Sequence, residues 1–186
     1  MTATDLAASS PDPTTARVRL RPTMSSDLDF VVSLEEAAEN APYITPWERT
    51  QHEAAIRFPD FRHFIVEGGP DLSAVGFLII IGCRSQQQSL ELKRLVIRDK
   101  GAGYGRAALR MAKKIAFDSL NAHRFWLDVK QRNVRAKALY DSEGFVVEGE
   151  LRDAVKTAEG FESLTVLSML RSEFADRRGL GLELRA

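Results

Sequence analysis

The sequence has 186 residues, 44% of them apolar and 28% charged, which suits one ordinary globular domain with its own core. Its 26 Lys and Arg balance 26 Asp and Glu, so it lacks the cationic excess that carries non-specific binding to nucleic acid or to an anionic membrane. One cysteine, Cys83, excludes an intrachain disulfide; it ends the apolar run 75–81 and reads as a small core residue rather than a nucleophile.

That apolar run is far shorter than the ~20 residues needed to span a bilayer. The N-terminus has neither a basic nor an apolar leader region, so the expected compartment is the cytoplasm. Residues 1–15 are Ser, Thr, Ala and Pro with few bulky apolar side chains, and a disordered tail is expected there. The folded domain is expected over 16–172, with a loose C-terminal tail over 173–186.

In "RVRLRP", Val18 and Leu20 alternate with arginines, which predicts a half-buried strand stopped by Pro22. Ser25 or Ser26 then caps a helix to residue 38, with Leu28, Val31, Val32 and Leu34 on its apolar face. "NAPYITPWE" reads as a loop, and a short helix follows from Thr50. "FRHFIVE" and "LSAVGFLIIIGC" are strands joined by the hairpin signal "GGPD", and a third strand covers 89–97. These imply an antiparallel meander. A helix over 103–120 follows, then the strand "HRFWLDV", a helix over 133–142, and two final strands, "FVVEGEL" and "FESLTVLSML". A strand, crossover helix, strand step implies one parallel pair in the sheet.

The chemistry begins at "LVIRDKGAGYGRAAL". A strand ends, a Gly-rich loop follows and a helix opens, so backbone amides and the helix dipole converge on a spot that suits phosphate. Lys100 and Arg106 add positive charge. The segment has no Gly-Lys-Ser/Thr, so it is not a P-loop. Gly103, Gly105 and Ala108 satisfy the dinucleotide pattern G-x-G-x-x-A, with Asp128 near the ribose position. Against a dinucleotide-binding domain, residues 98–102 separate the strand from the glycines, and the chain offers a single crossover unit.

The second motif is "NVRAKALYDSEGF". Asn133 opens a helix, Tyr140 lies two turns on along the same face, and Gly144 ends the helix before Phe145. By spacing alone Tyr140 is a core tyrosine. Taken together, the two motifs resemble those of the GNAT N-acetyltransferases. The family's Q/R-x-x-G-x-G/A appears as "KGAGYG", with Lys100 at its first position, and N-x-x-A-x-x-L-Y-x-x-x-G-F is intact over 133–145. The element order also matches across 17–172.

That resemblance implies an α/β (α+β) fold with a mixed, mostly antiparallel sheet and a splayed parallel strand pair that admits acetyl-CoA. The backbone of Leu95, Val96 and Ile97 would pair with the pantetheine arm. Amides of Lys100, Gly101, Ala102, Gly103, Tyr104, Gly105 and Arg106 would hold the pyrophosphate, and Asn133 would bond the cofactor near its pantetheine. Tyr140 would face the thioester sulfur and protonate the leaving thiolate. Asp128 or Glu91 would take the proton from the attacking amine. No metal is expected, and His52, His63 and His123 show no ligand spacing.

The acceptor would lie between the early helices and the late hairpin, where Glu35, Glu36 and Glu39 could attract an amine and Tyr43 and Trp47 could line a pocket. The stretch 40–47 and "EGELRD" resemble the branch that includes ribosomal-protein alanine acetyltransferases, beside antibiotic-, polyamine- and amino-acid-acetylating relatives. The acceptor is then a primary amine, on a protein N-terminus or a small molecule. A CoA-binding sensor without turnover and transfer of a larger acyl group are the competing readings. Exposed edge strands leave room for a homodimer.

Overall fold

The computed structural model describes residues 16–179; the expected N-terminal tail, 1–15, and the last residues, 180–186, lie outside the described residues. Seven strands form one sheet in the order β1-β2-β3-β4-β5-β7-β6. They are β1 (Val18–Pro22), β2 (Phe61–Gly68), β3 (Ser73–Ile81), β4 (Ser89–Ile97), β5 (Arg124–Lys130), β6 (Val146–Thr157) and β7 (Gly160–Leu170). Helices α1 (Leu28–Glu36) and α2 (Arg49–Arg57) precede β2, α3 (Tyr104–Lys114) joins β4 to β5, α4 (Val134–Ser142) joins β5 to β6, and α5 (Arg171–Gly179) follows β7.

The sheet is covered on both faces, and strand alternation divides the core accordingly. On β3, Leu78 and Ile80 join Ala108, Leu109, Ala112 and Phe117 in the layer under α3 and α4, and Val75, skipped by the β2 register at a bulge, turns to the same side. Phe77 and Ile79 point the other way, to Val31 and Leu34 of α1. A central strand buried on both faces must be apolar throughout, which is why "AVGFLIII" lacks the polar alternation of β1.

On β4 the alternation breaks. Leu90 and Leu92 face the α3 layer, yet so do Leu95 and Ile97. The cause is a β-bulge: Ile80 pairs with Leu92 and Ile79 with Arg94, leaving Lys93 outside the ladder. The bulge follows the last contact between β4 and β5. Those parallel strands pair only at Ser89–Arg124, Leu90–Phe125 and Glu91–Trp126, and beyond that point they part. β5 continues on β7, from Arg124–Leu170 to Lys130–Leu164, so each strand keeps one bonded edge and turns its other edge to the gap.

The structure differs from the sequence expectation in four places. Neither Ser25 nor Ser26 caps α1: both lie in a 3-10 turn, Ser25–Asp27, and the helix ends at Glu36 rather than at residue 38. The helix predicted to residue 120 ends as a π-helical turn over Ile115–Ser119, where the Leu120 amide reaches back to the Ile115 carbonyl at 2.9 Å. Residues 173–179 are not a loose tail but most of α5. Phe174 is buried and stacks on Phe117 at 4.8 Å, and Glu173 accepts a 2.7 Å bond from the Leu170 amide. One aromatic in a polar segment anchors the helix. β6 is longer than predicted and exposed over most of its length, with Val146, Val147 and Leu151 of β6 and Phe161 of β7 all solvent-facing. No helix among the described residues is long and apolar enough to cross a membrane.

Candidate active site

The parting of β4 and β5 opens a cleft of about 1340 Å³ whose walls include Leu95, Val96, Ile97, Asp128, Asn133 and Tyr140. With the β5 neighbour gone, the β4 edge offers unpaired backbone groups to an extended ligand, as a sheet edge does to an added strand.

At the outer end of the gap the chain turns into α3. Gly101 and Gly103 have φ of +91° and +81°, left-handed conformations that strain any residue with a Cβ. Gly103 is the N-cap of α3 and has no side chain to cap the helix, so the first-turn amides remain open to an anion. Lys100, Gly101, Gly103, Gly105 and Arg106 line the cleft, whereas Ala102 and Tyr104 do not. The Tyr104 ring packs near Gly68, the last residue of β2, and Gly69 just beyond it, leaving its amide as its contribution at the helix start. Lys100 bonds Glu39 of the α1–α2 segment, and Arg106 bonds Glu143 at 2.6 Å. Arg135, on the first turn of α4, also lines the cleft and adds a cation that the motifs did not single out.

Asn133 caps α4, its side-chain oxygen accepting from the Ala136 amide at 3.1 Å. That bond fixes the carboxamide and leaves its NH₂ to donate elsewhere. Two turns on, Tyr140 is 9% exposed and stands edge-on to Phe145, with ring centroids 5.9 Å apart. Burial, helped by the charge of Asp128, pushes its phenol up to about 12, so it stays protonated at any working pH. Asp128 lines the same cleft and has no ion-pair partner among the described residues. Glu91 does not line it; it is buried on the still-paired part of β4 and bonds Lys93 at 3.0 Å.

On the acceptor side, Glu39, Tyr43 and Trp47 line the cleft, and Glu35 and Glu36 do not. Glu35 is fully buried and structural. Its oxygens accept from the Trp47 amide at 2.6 Å and Arg94 at 3.0 Å, and His52 Nε2 lies 3.7 Å away. Burial opposes the charge, but these partners hold Glu35 below the usual carboxylate range. Behind it His52 Nδ1 meets His63 Nε2 at 3.1 Å, and His63 Nδ1 meets Thr23 at 2.9 Å. Burial, and then the neighbouring His52, push His63 down to about 4, so it is a neutral core residue. In the sequence His52 and His63 show no ligand spacing and nothing that brings them together. Their meeting depends on packing between α2 and β2, which no local signal encodes. Cys83 is half-buried, and burial pushes its thiol up, away from nucleophilic use.

Residues 17–146 match the family described as acetyltransferase (GNAT) domain. The chain is 27% identical over 150 residues to spermidine N(1)-acetyltransferase of Escherichia coli (strain K12), covering 75% of this chain and 78% of that one. To the spermidine N(1)-acetyltransferase of Vibrio cholerae it is 23% identical over 173 residues, 87% of this chain and 98% of the relative. Among solved structures, that of spermidine N-acetyltransferase from Vibrio cholerae in complex with CoA and spermine aligns with a TM-score of 0.76 at 24% identity, over 85% of this chain and 98% of that one.

Proposed function

The chain belongs to the acetyltransferase (GNAT) domain family, and we propose that it acetylates a small polyamine-like acceptor, with Tyr140 as general acid and Asp128 as general base. The enzyme is an acetyl-CoA-dependent N-acetyltransferase. Acetyl-CoA supplies an activated thioester carbonyl. The residues present suit it: an open β4 edge for the pantetheine, the first-turn amides of α3 for the pyrophosphate, and the Asn133 carboxamide on the cleft wall.

The observation that carries the reading is that a protonated phenol and an uncommitted carboxylate line the same cleft. The amine nitrogen attacks the thioester carbonyl, forming a C–N bond as the carbonyl electrons move onto oxygen; the C=O bond then re-forms and the C–S bond breaks. Asp128 accepts the proton that the amine loses, and Tyr140 donates one to the departing sulfur. In this reading, a backbone amide of the β4 edge near Val96 stabilises the oxyanion.

The acceptor class is supported by the likeness to spermidine N(1)-acetyltransferases and by the charges on the wall. Lys93, Arg94, Lys100 and Lys130 line the cleft, but each is bonded to a carboxylate: Glu91, Glu35, Glu39 and Glu162 respectively. Asp128, which has no ion-pair partner among the described residues, gives the β5 wall a carboxylate that can face an ammonium group, and Tyr43 supplies an aromatic face. The resemblance of 40–47 and 148–153 to the ribosomal-protein alanine branch supports a peptide N-terminus as the second reading.

Release of the CoA thiol from acetyl-CoA, followed with spermidine and with peptides bearing N-terminal alanine, separates the two. The expected result is a kcat/KM for spermidine at least about tenfold above that for the peptides. The reverse order would assign the chain to the protein-modifying branch.

A further inference from the structure

We propose that Arg94 and Lys130 are positioning residues that strap the α1–α2 segment, residues 37–48, across the mouth of the gap between β4 and β5, fixing the wall against which the acceptor binds. The proposal rests on the reading of the cleft as an acetyltransferase site.

Both anchors come from the parted halves of the two strands. Arg94 lies beyond Glu91, the last β4 residue paired with β5, and Lys130 lies beyond its partner Trp126. From β4, Arg94 Nη2 donates to the Thr45 carbonyl at 2.9 Å, and its guanidinium lies 5.1 Å from the centre of the Trp47 ring. From β5, Lys130 Nζ donates to the Pro42 carbonyl at 3.1 Å. The segment between these points carries Tyr43 and Ile44, which line the cleft together with Trp47. A backbone stretch that bonds to no strand is thus tied to one side of the gap at Thr45 and to the other at Pro42.

The cations are themselves held. Arg94 Nε bonds buried Glu35 at 3.0 Å, the same carboxylate that takes the Trp47 amide. Lys130 is 8% exposed at its side chain and lies 3.1 Å from Glu162 of β7. Carboxylates partner both cations beside a site for an ammonium group: Glu35 faces Arg94, Glu162 faces Lys130 while also bonding Arg132 at 2.7 Å, and the remaining donors of Arg94 and Lys130 serve carbonyls. A shared segment also predicts coupling between the anchors, because releasing either one frees the same wall.

The test uses Lys130→Met, Arg94→Lys (which keeps the charge facing Glu35 and so protects the fold) and the double variant. The chain has two tryptophans, so a Trp126→Phe background isolates Trp47. Expected are a rise of about tenfold in the KM for spermidine in each single variant, the size of one lost charge-assisted hydrogen bond, with kcat at saturating acceptor and the acetyl-CoA-induced thermal shift retained. The double variant should fall well short of the product of the two. Acrylamide should quench Trp47 more readily in each variant than in the parent. Unchanged Trp47 quenching, or a fall in kcat or loss of the acetyl-CoA shift at constant KM, would overturn the strap. A parent protein that neither binds acetyl-CoA nor turns over spermidine would instead defeat the functional reading, and Trp47 quenching would still decide the strap.

Discussion

Tyr140→Phe is expected to lower turnover by about 10²- to 10⁴-fold at saturating acceptor, the range for loss of a general acid, while acetyl-CoA binding is retained. The substitution removes one oxygen and leaves the ring, so the edge-on contact with Phe145 and the place of the residue in the α3 layer are preserved. What is lost is a phenol that burial and Asp128 keep protonated, the form that can give a proton to a departing thiolate. The companion change Asp128→Asn keeps shape and removes the base, and its expected loss is of the same order. Steady-state rates and an acetyl-CoA titration on both variants check this. Full turnover in Tyr140→Phe would remove the residue from the mechanism, and wild-type rates in Asp128→Asn would shift the base to another group, with Glu91 the remaining carboxylate to test.

Glu143→Gln is expected to cost about 3–5 kcal/mol of stability, the range for breaking a buried ion pair from one side, and to lower Tm by roughly 10 °C. Glu143 sits at the C-cap of α4 and is 2% exposed. Its carboxylate accepts from Arg106 at 2.6 Å, from Arg110 at 3.0 Å and from Lys113 at 3.1 Å, and fully buried Lys113 also bonds its carbonyl at 3.0 Å. Burial works to raise the pKa of such a group. The Arg110 bond, the Lys113 charge and the Arg106 bond overcome it and hold Glu143 below the usual carboxylate range. A carboxyl depressed in the folded state contributes fully above its unfolded pKa of ~4.3 and loses that contribution as pH falls through the folded value. The hub ties α3, which opens with the phosphate-facing amides, to α4, which carries Asn133 and Tyr140. Weaker acetyl-CoA binding is therefore expected alongside the loss of stability. A Tm within 2 °C of the parent would show that the three cations are satisfied without this carboxylate.

The two motifs were legible because their chemistry is local. A left-handed glycine before a helix, an asparagine cap and a tyrosine two turns on are each set within a few residues. The strands and most helices were legible from periodicity for the same reason. The bulge at Lys93 was not, since a two-residue alternation gives no sign of where a strand will lose register with its neighbour. The pairs Glu39–Lys100, Glu35–Arg94 and Lys130–Pro42 join positions far apart in sequence, and no spacing encodes them. Glu35, read as a group to attract the acceptor, is instead the buried counter-charge of Arg94. Helix α5 was missed because its amphipathic signal reduces to Phe174, whose value comes from long-range packing, chiefly on the ring of Phe117.

Thermal unfolding with and without acetyl-CoA, with NADH as control, tests the central claim most directly. A ligand that binds only the native state adds about 2.7 kcal/mol at a hundredfold excess over Kd, which for a chain of this length raises Tm by roughly 5 to 10 °C. The expected result is that rise with acetyl-CoA and none with NADH; a rise with NADH alone, or no rise at millimolar acetyl-CoA, would contradict an acetyl-CoA site between β4 and β5.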